Sequence, residues 1–303
     1  MEKEFKLNEN KIINAHEAGI PKISLLPSKR IISISNDLSI KIWDENFNLL
    51  QKINDAHNEY ITYVEIENEN NFITCSDDRS IKFWNKKNNI YSLKETIIEA
   101  HKSGILKIKY IKNKKYLISC SEDETIKIWE KKNMNNKHEC VLIIEFPFWI
   151  FSIMEIPDKN LLLIAGPFPT IFFYNTTQFN LSFCINNVNC RTNNSIDRID
   201  NDRIIFGGRK DSIIKIISLS LKKVIKEIYN QTYCWGVLVI KPLHVFLVGG
   251  YNSCDIKVYH SDNYNLIYNV INAHNKGIYG FTLINDNCVS SYSLDGTIRL
   301  WNF

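Results

Sequence analysis

Histidine, serine or threonine, aspartate and tryptophan recur together along this chain. Ala-His opens four segments, A-H-E-A-G-I at 15–20, A-H-N-E-Y-I at 56–61, A-H-K-S-G-I at 100–105 and A-H-N-K-G-I at 273–278. Each is followed by a second block: S-I-S-N-D-L-S-I-K-I-W-D at 33–44, T-C-S-D-D-R-S-I-K-F-W-N at 74–85, S-C-S-E-D-E-T-I-K-I-W-E at 119–130 and S-Y-S-L-D-G-T-I-R-L-W-N at 291–302. A single His–Ser–Asp set would suggest nucleophilic catalysis, with an imidazole base and an orienting carboxylate. Here the Asp stands six residues before the Trp in all four copies. Repetition at fixed spacing points instead to structure. A buried Asp is costly unless bonded, and an indole N–H needs an acceptor.

The elements that position these residues are short strands. I-K-I-W, I-K-F-W and I-R-L-W alternate apolar with polar, the period of a half-exposed strand. Turn residues such as Asn36–Asp37, Asp77–Asp78 and Asp295–Gly296 separate the runs, and about four strands fit each period. From Trp129 to Trp301 is 172 residues, four periods of 43, so three further repeats are expected. T-I-F-F-Y at 170–174, S-I-I-K-I-I at 212–217 and C-D-I-K-V-Y at 254–259 fill them, with Tyr174, Ile217 and Tyr259 at the Trp position. Gly166, Gly207–Gly208 and Gly249–Gly250 precede them at turn-like positions.

Seven such repeats resemble the WD-repeat family over nearly the whole chain. The motifs are specific in repeats 1, 2, 3 and 7 and weak in repeats 4, 5 and 6. Departures are Ala-His for the family's Gly-His, and a terminal Asp kept only as Asp44. The resemblance implies an all-β, seven-bladed β-propeller, a single domain over residues 1–303. It also implies that His, hydroxyl, Asp and Trp form buried hydrogen-bonded sets. By motif position these are His16, Ser33, Asp37 and Trp43; His57, Thr74, Asp78 and Trp84; His101, Ser119, Asp123 and Trp129; and His274, Ser291, Asp295 and Trp301. Losing one member strands the others at roughly 1–3 kcal/mol each. The last repeat ends at Trp301–Asn302–Phe303 without an outer strand, whereas the chain begins with one, F-K-L-N-E-N-K-I-I-N. Residues about 4–14 are therefore expected to complete the seventh blade and remove its open edge, so that the chain starts and stops where one closed ring would.

Function is expected on the loops. Tyr60, Trp149 and Trp235 align near the start of a first strand, where repeats 1, 3 and 7 have Gly, with Phe148 and Arg191 close by. Such residues are enriched in binding hot spots, and aromatics around a channel mouth would take an extended peptide or a helix. The opposing reading is that Trp149 and Trp235 fill space left by missing His and Trp. Asp77, Glu122, Lys210 and Asn252, each beside the Asp turn, are further rim candidates, or simply solvated. The aromatic runs F-P-F-W-I-F at 146–151 and I-F-F-Y at 171–174 are read as blade core or as a sticky partner surface.

These features suggest a non-enzymatic protein-interaction scaffold or adaptor, a subunit of a larger complex binding other proteins, with a reader of modified peptides as the alternative. There is no P-loop, G-x-G-x-x-G, G-x-S-x-G or H-E-x-x-H, and no cofactor or metal is expected. His138–Glu139–Cys140 reads as a lone polar cluster in a flexible 131–139 loop, and His244 and His260 lack metal-spaced partners. Net charge of +4 does not demand nucleic acid, and the basic stretches at 107–115, 130–137 and 222–226 lack interleaved aromatics. F-G-G-R-K at 206–210 lacks the paired arginines of phosphoinositide-binding propellers. No signal sequence or membrane span is apparent, and eight cysteines without a CxxC suggest reduced thiols in the cytoplasm or nucleus.

Overall fold

The two-residue alternation is realised as antiparallel pairing. A computed structural model of the chain describes residues 6–111, 113–132, 137–186, 188, 195–208 and 212–303. Their strands form seven four-stranded sheets, the blades of a β-propeller whose ring is closed by the N-terminal strand.

The blades lie in two compact units. One spans residues 22–167 and 172–183. It holds blade 1 (Lys22–Leu25, Ile31–Ile34, Ile40–Trp43, Leu49–Ile53), blade 2 (Ile61–Asn68, Asn71–Ser76, Ile81–Lys87, Ile90–Ile97) and blade 3 (Ile105–Ile111, Tyr116–Ser121, Thr125–Lys131, His138–Glu145). It also holds most of blade 4 (Ser152–Ile156, Leu161–Ala165, Thr170–Asn175, Leu181–Asn186). Ile32, Ile34, Ile40 and Ile42 of blade 1 pack on Val64, Phe72 and Trp84 of blade 2. The other face of blade 2, with Ile73, Ile81 and Phe83, packs on Ile108, Leu117 and Trp129 of blade 3. Each fully buried side chain of this kind contributes about 1.5–3 kcal/mol.

The other unit spans residues 1–21, 168–171 and 184–303. It holds blade 5 (Ile196–Arg198, Arg203–Phe206, Ile213–Ser218, Lys223–Tyr229), blade 6 (Cys234–Ile240, Val245–Gly250, Ile256–His260, Leu266–Val270) and blade 7 (Ile278–Asn285, Cys288–Ser293, Thr297–Asn302). The fourth strand of blade 7 comes from the other end of the chain. Asn8–Asn14 pairs antiparallel with Thr297–Asn302, Asn8 opposite Asn302 and Asn14 opposite Thr297, with a bulge between Glu9 and Lys11. Leu7 and Ile13 are buried behind it, and Arg299 Nη1 donates to Glu9 Oε2 at 2.9 Å. Of the expected 4–14 strand, residues 4 and 5 lie outside the described residues.

The glycines expected in turns serve another purpose. Gly249 and Gly250 lie within a strand. A Cβ on Gly249 would stand 2.7 Å from Ile278 Cγ2, and one on Gly207 would stand 2.2 Å from Cys234 Sγ. Close packing, not turn geometry, requires them. The positive-φ turn position is the residue after the motif Asp, namely Leu38, Arg79, Glu124 and Gly296 at 66°, 68°, 68° and 76°. Only blade 7 places glycine there, where a Cβ would come 2.4 Å from His16 O.

Candidate functional site

Within the first unit, the second and third strands of blades 2 and 3 bring the motif residues together. Trp84 Nε1 donates to Thr74 Oγ1 at 2.9 Å. That hydroxyl lies 2.8 Å from His57 Nε2, and His57 Nδ1 lies 2.9 Å from Asp78 Oδ2. Since the indole can only donate, the hydroxyl gives its own proton to Nε2, which places the imidazole proton on Nδ1 facing the carboxylate. Blade 3 repeats the chain: Trp129 Nε1 to Ser119 Oγ at 2.8 Å, Ser119 Oγ to His101 Nε2 at 2.7 Å, and His101 Nδ1 to Asp123 Oδ2 at 2.9 Å. In the second unit Trp301, Ser291, His274 and Asp295 do the same at 2.8, 2.7 and 3.1 Å. In blade 1, Trp43 Nε1 donates to Ser33 Oγ at 2.8 Å, Asp37 accepts from Ser39, and His16 is buried.

The carboxylates also bind the turn. Asp78 accepts from the backbone N–H of Asn58 at 3.0 Å and of Ser80 at 2.9 Å, and from Ser80 Oγ at 2.6 Å. Partial burial alone would raise the Asp78, Asp123 and Asp295 pKa values, but the histidine and hydroxyl hydrogen bonds outweigh it and hold all three well below the usual carboxylate range. Burial lowers the pKa of His57, His101 and His274 despite the adjacent acids, so each imidazole is neutral. These sets match a triad in residue type and differ in access. Thr74, Ser119 and Ser291 have no exposed surface, and each hydroxyl already accepts an indole N–H. They bind turn to sheet.

Blades 4 to 6 replace the network wholesale. Leu162 pairs with Tyr174, Ile204 with Ile217 and Phe246 with Tyr259, as Phe72 pairs with Trp84. Two residues on, the Thr74 position is therefore Ile164, Phe206 and Val248. The indole donor and its hydroxyl acceptor are lost together, which strands neither. In blade 6 the Tyr259 hydroxyl donates instead to Asn230 Oδ1 at 2.8 Å.

The rim candidates divide. Tyr60 is 52% exposed and Trp149 48% exposed. Asp77 N donates to Tyr60 O at 3.0 Å, Glu122 N to Gly104 O at 3.1 Å and Ile150 N to Ser121 O at 3.1 Å. A Cβ on Gly104 would lie 2.8 Å from Asp77 Oδ1. These contacts string Tyr60, Asp77, Glu122 and Trp149 in that order along the loops of one unit. Asp77 is exposed as a residue, but desolvation of its crowded carboxyl, then the charges of Glu122, Glu59 and Asp78, push its pKa up to about 6. Asn252 is exposed, in the other unit.

Two candidates are core instead. Phe148 is 7% exposed, stacked on Phe172 at 5.9 Å between ring centroids. Trp235 is 6% exposed, with its ring 3.9 Å from that of Tyr251 and 4.9 Å from that of Tyr279. Both rings are enclosed beside neighbouring aromatics. Trp149 remains outside. The aromatic runs likewise go inward: Phe146, Phe148, Ile150, Ile171 and Phe173 are buried. Arg191 and Lys210 lie outside the described residues.

Other roles were hidden in the sequence. The polar residue of the third strand anchors the preceding loop, with Lys82 Nζ donating to Ala56 O and Lys127 Nζ to Ala100 O, both at 2.7 Å. His138 is not in a loop but begins a strand. It stacks on Phe83 at 4.2 Å and bonds Glu95 Oε2 at 3.0 Å. His244 and His260 both face Asp262, at 3.2 and 3.8 Å. Their sixteen-residue separation carries no recognisable pairing signal.

A family model for the WD domain, G-beta repeat, matches residues 48–85, 92–130 and 265–302. No curated protein matches the chain. The matched segments end at Asn85, Glu130 and Asn302, one residue after three of the tryptophans whose networks are described above. With that repeat found three times on seven four-stranded blades, the chain belongs to the WD-repeat β-propellers.

Proposed function

We propose that this propeller is a non-enzymatic interaction scaffold, one domain over residues 1–303, acting as a subunit of a larger assembly in the cytoplasm or nucleus. WD propellers are in general platforms for other proteins. The observation that carries the reading is the arc of Tyr60, Asp77, Glu122 and Trp149. Two large aromatics stand half exposed where a soluble surface gains nothing from them, with two carboxylates between. That mixture suits a partner segment presenting Lys or Arg beside apolar side chains, so short-peptide recognition is the second reading. Seven described cysteines are free, with Cys75, Cys120 and Cys234 fully buried, which accords with a reducing compartment.

The test is a Tyr60→Ala/Trp149→Ala variant compared with wild type in affinity purification from the native cell. Both side chains are largely exposed, so folding and melting temperature should be unchanged while the co-purifying partner is lost. Full retention of every partner would refute the assignment of this arc.

A further inference from the structure

A cavity of about 100 Å³ lies between blades 2 and 3, and the residues around it belong to one compact unit. Glu67, on its wall, is near the end of the first strand of blade 2, whereas Tyr60 immediately precedes the start of that strand. The cavity and the aromatic arc are therefore at opposite ends of the blade. Its apolar wall is mostly aromatic, with Phe83, Trp84 and Tyr110 among the rings. A cavity of about 150 Å³ takes a benzene ring, so this one suits a smaller group.

His138 lines the same cavity with a side chain only 9% exposed. Its Nδ1 lies 3.0 Å from Glu95 Oε2, and its backbone N–H donates to Glu95 Oε1 at 2.8 Å. A carboxylate only accepts, so Nδ1 carries a proton and Nε2 of the neutral ring is an acceptor. Phe83 covers one face of the ring at 4.2 Å. The Nε2 edge is left for the cavity, and no described residue donates to it. A nitrogen so enclosed calls for a donor from a bound group. Glu67 and Glu95 bring two carboxylates to the wall, and among the described residues neither forms an ion pair with Lys or Arg. Burial first, and the charge of Glu67 second, raise the Tyr110 pKa, so its hydroxyl stays protonated and leaves that charge uncompensated. Lys94 and Lys131 also border the cavity, but both are exposed, and long stems let their ammonium groups stand in water.

We propose that this cavity is a binding site for the guanidinium group of arginine, held by His138, Glu67 and Glu95. The group is a flat plate of four non-hydrogen atoms, against six in benzene, which fits the smaller volume. Its N–H donors lie in one fork-shaped plane and match the three acceptors of the wall, while its cationic faces lie well against aromatic rings. Glu95 spends two of its lone pairs on His138 and keeps others for the ligand. The site is independent of the aromatic arc on the loops, so either assignment stands if the other fails.

The experiment is an NMR titration of the full chain, isotope-labelled at its histidine side chains, in neutral buffer of constant ionic strength. The probes are N-acetyl-arginine amide, free arginine, and N-acetyl-citrulline amide as the uncharged isostere. The His138 ring signals, assigned by their loss in His138→Gln, should shift saturably with arginine and stay still with citrulline. Tighter binding of the capped amide assigns the site to an arginine within a partner chain, and tighter binding of free arginine assigns it to the amino acid. Glu67→Gln should weaken binding about tenfold. Lys131→Ala removes a like charge from the border and should strengthen it, while circular dichroism and melting show both variants folded. The absence of a saturable His138 shift would overturn the proposal, as would equal binding of citrulline or weaker binding by Lys131→Ala. If Glu67→Gln does not fold, Lys131→Ala, at an exposed position, gives the sign of the charge effect by itself.

Discussion

Ser119→Ala in blade 3 removes one fully buried oxygen atom and isolates two groups at once. Trp129 Nε1 loses its acceptor at 2.8 Å, and His101 Nε2 loses its donor at 2.7 Å. Neither can turn to water, since Trp129 is 5% and His101 1% exposed. A stranded buried polar group costs about 1–3 kcal/mol, so two together cost roughly 2–6 kcal/mol. Alanine fills nearly the same volume, which keeps the cavity contribution small, and about 3 kcal/mol is the expected loss. At this chain length that is a fall of about 6 °C in Tm, taking about 2 °C per kcal/mol. The assay is urea and thermal unfolding of Ser119→Ala, Trp129→Phe and the double variant. Phenylalanine has no indole N–H to strand, so Ser119→Ala should cost about 1 kcal/mol less in the Trp129→Phe background. Blade 4, where Ile164 and Tyr174 stand in these places, is the natural form of removing both partners together. A loss under about 0.5 kcal/mol for Ser119→Ala, or equal losses in both backgrounds, would refute the claim that the hydroxyl is the hub of the set.

Two further outcomes follow from the same structure. Deleting residues 1–13 removes the strand paired with Thr297–Asn302, and lost burial of Leu7 and Ile13 alone costs about 3–6 kcal/mol; differential scanning calorimetry should show a markedly lower Tm with light-scattering aggregates from the bared edge, and an unchanged Tm would contradict the clasp. Burial holds His57, His101 and His274 below their unfolded value of about 6.5, so the unfolded chain takes up protons that the folded chain refuses. The stability they contribute is complete above about pH 6.5 and declines as the pH falls below it, by up to about 1.4 kcal/mol per pH unit for each imidazole. Asp78, Asp123 and Asp295, held low, add a second decline below about pH 4. The urea midpoint should thus drop between pH 7.5 and pH 5; a midpoint constant over that range would contradict neutral buried histidines.

The repeat was legible because four of the seven repeats keep the same residue types at the same spacing. The Asp-to-Trp spacing located the full networks of blades 2, 3 and 7 and the Trp43–Ser33 bond of blade 1, the interval of 172 residues placed three further blades, and the surplus strand at the start gave the closing pair. What stayed hidden depends on which face a residue takes. Phe148 and Trp149 are adjacent, yet one is core and one is surface, as burial alternates residue by residue from Phe146 to Ile150 outside any strand. Trp235 looked like a hot spot because tryptophan serves both burial and binding, and only the Tyr251 and Tyr279 rings on either side decide between them. Gly207 and Gly249 were assigned to turns by type, whereas their cause is a side chain from a distant strand.

The closing pair also fixes how the molecule bears load. Asn8 lies opposite Asn302, so the two ends of the polypeptide leave the last blade from the same corner, and the hydrogen bonds between those strands run across the strands. A pull applied between the termini meets these bonds one rung at a time, as in opening a zipper, and never loads them together in shear. Tension on both ends would therefore peel the blade apart from that corner at low force, while a pull between the C-terminal end and a side chain of Asn14 would meet the whole ladder at once.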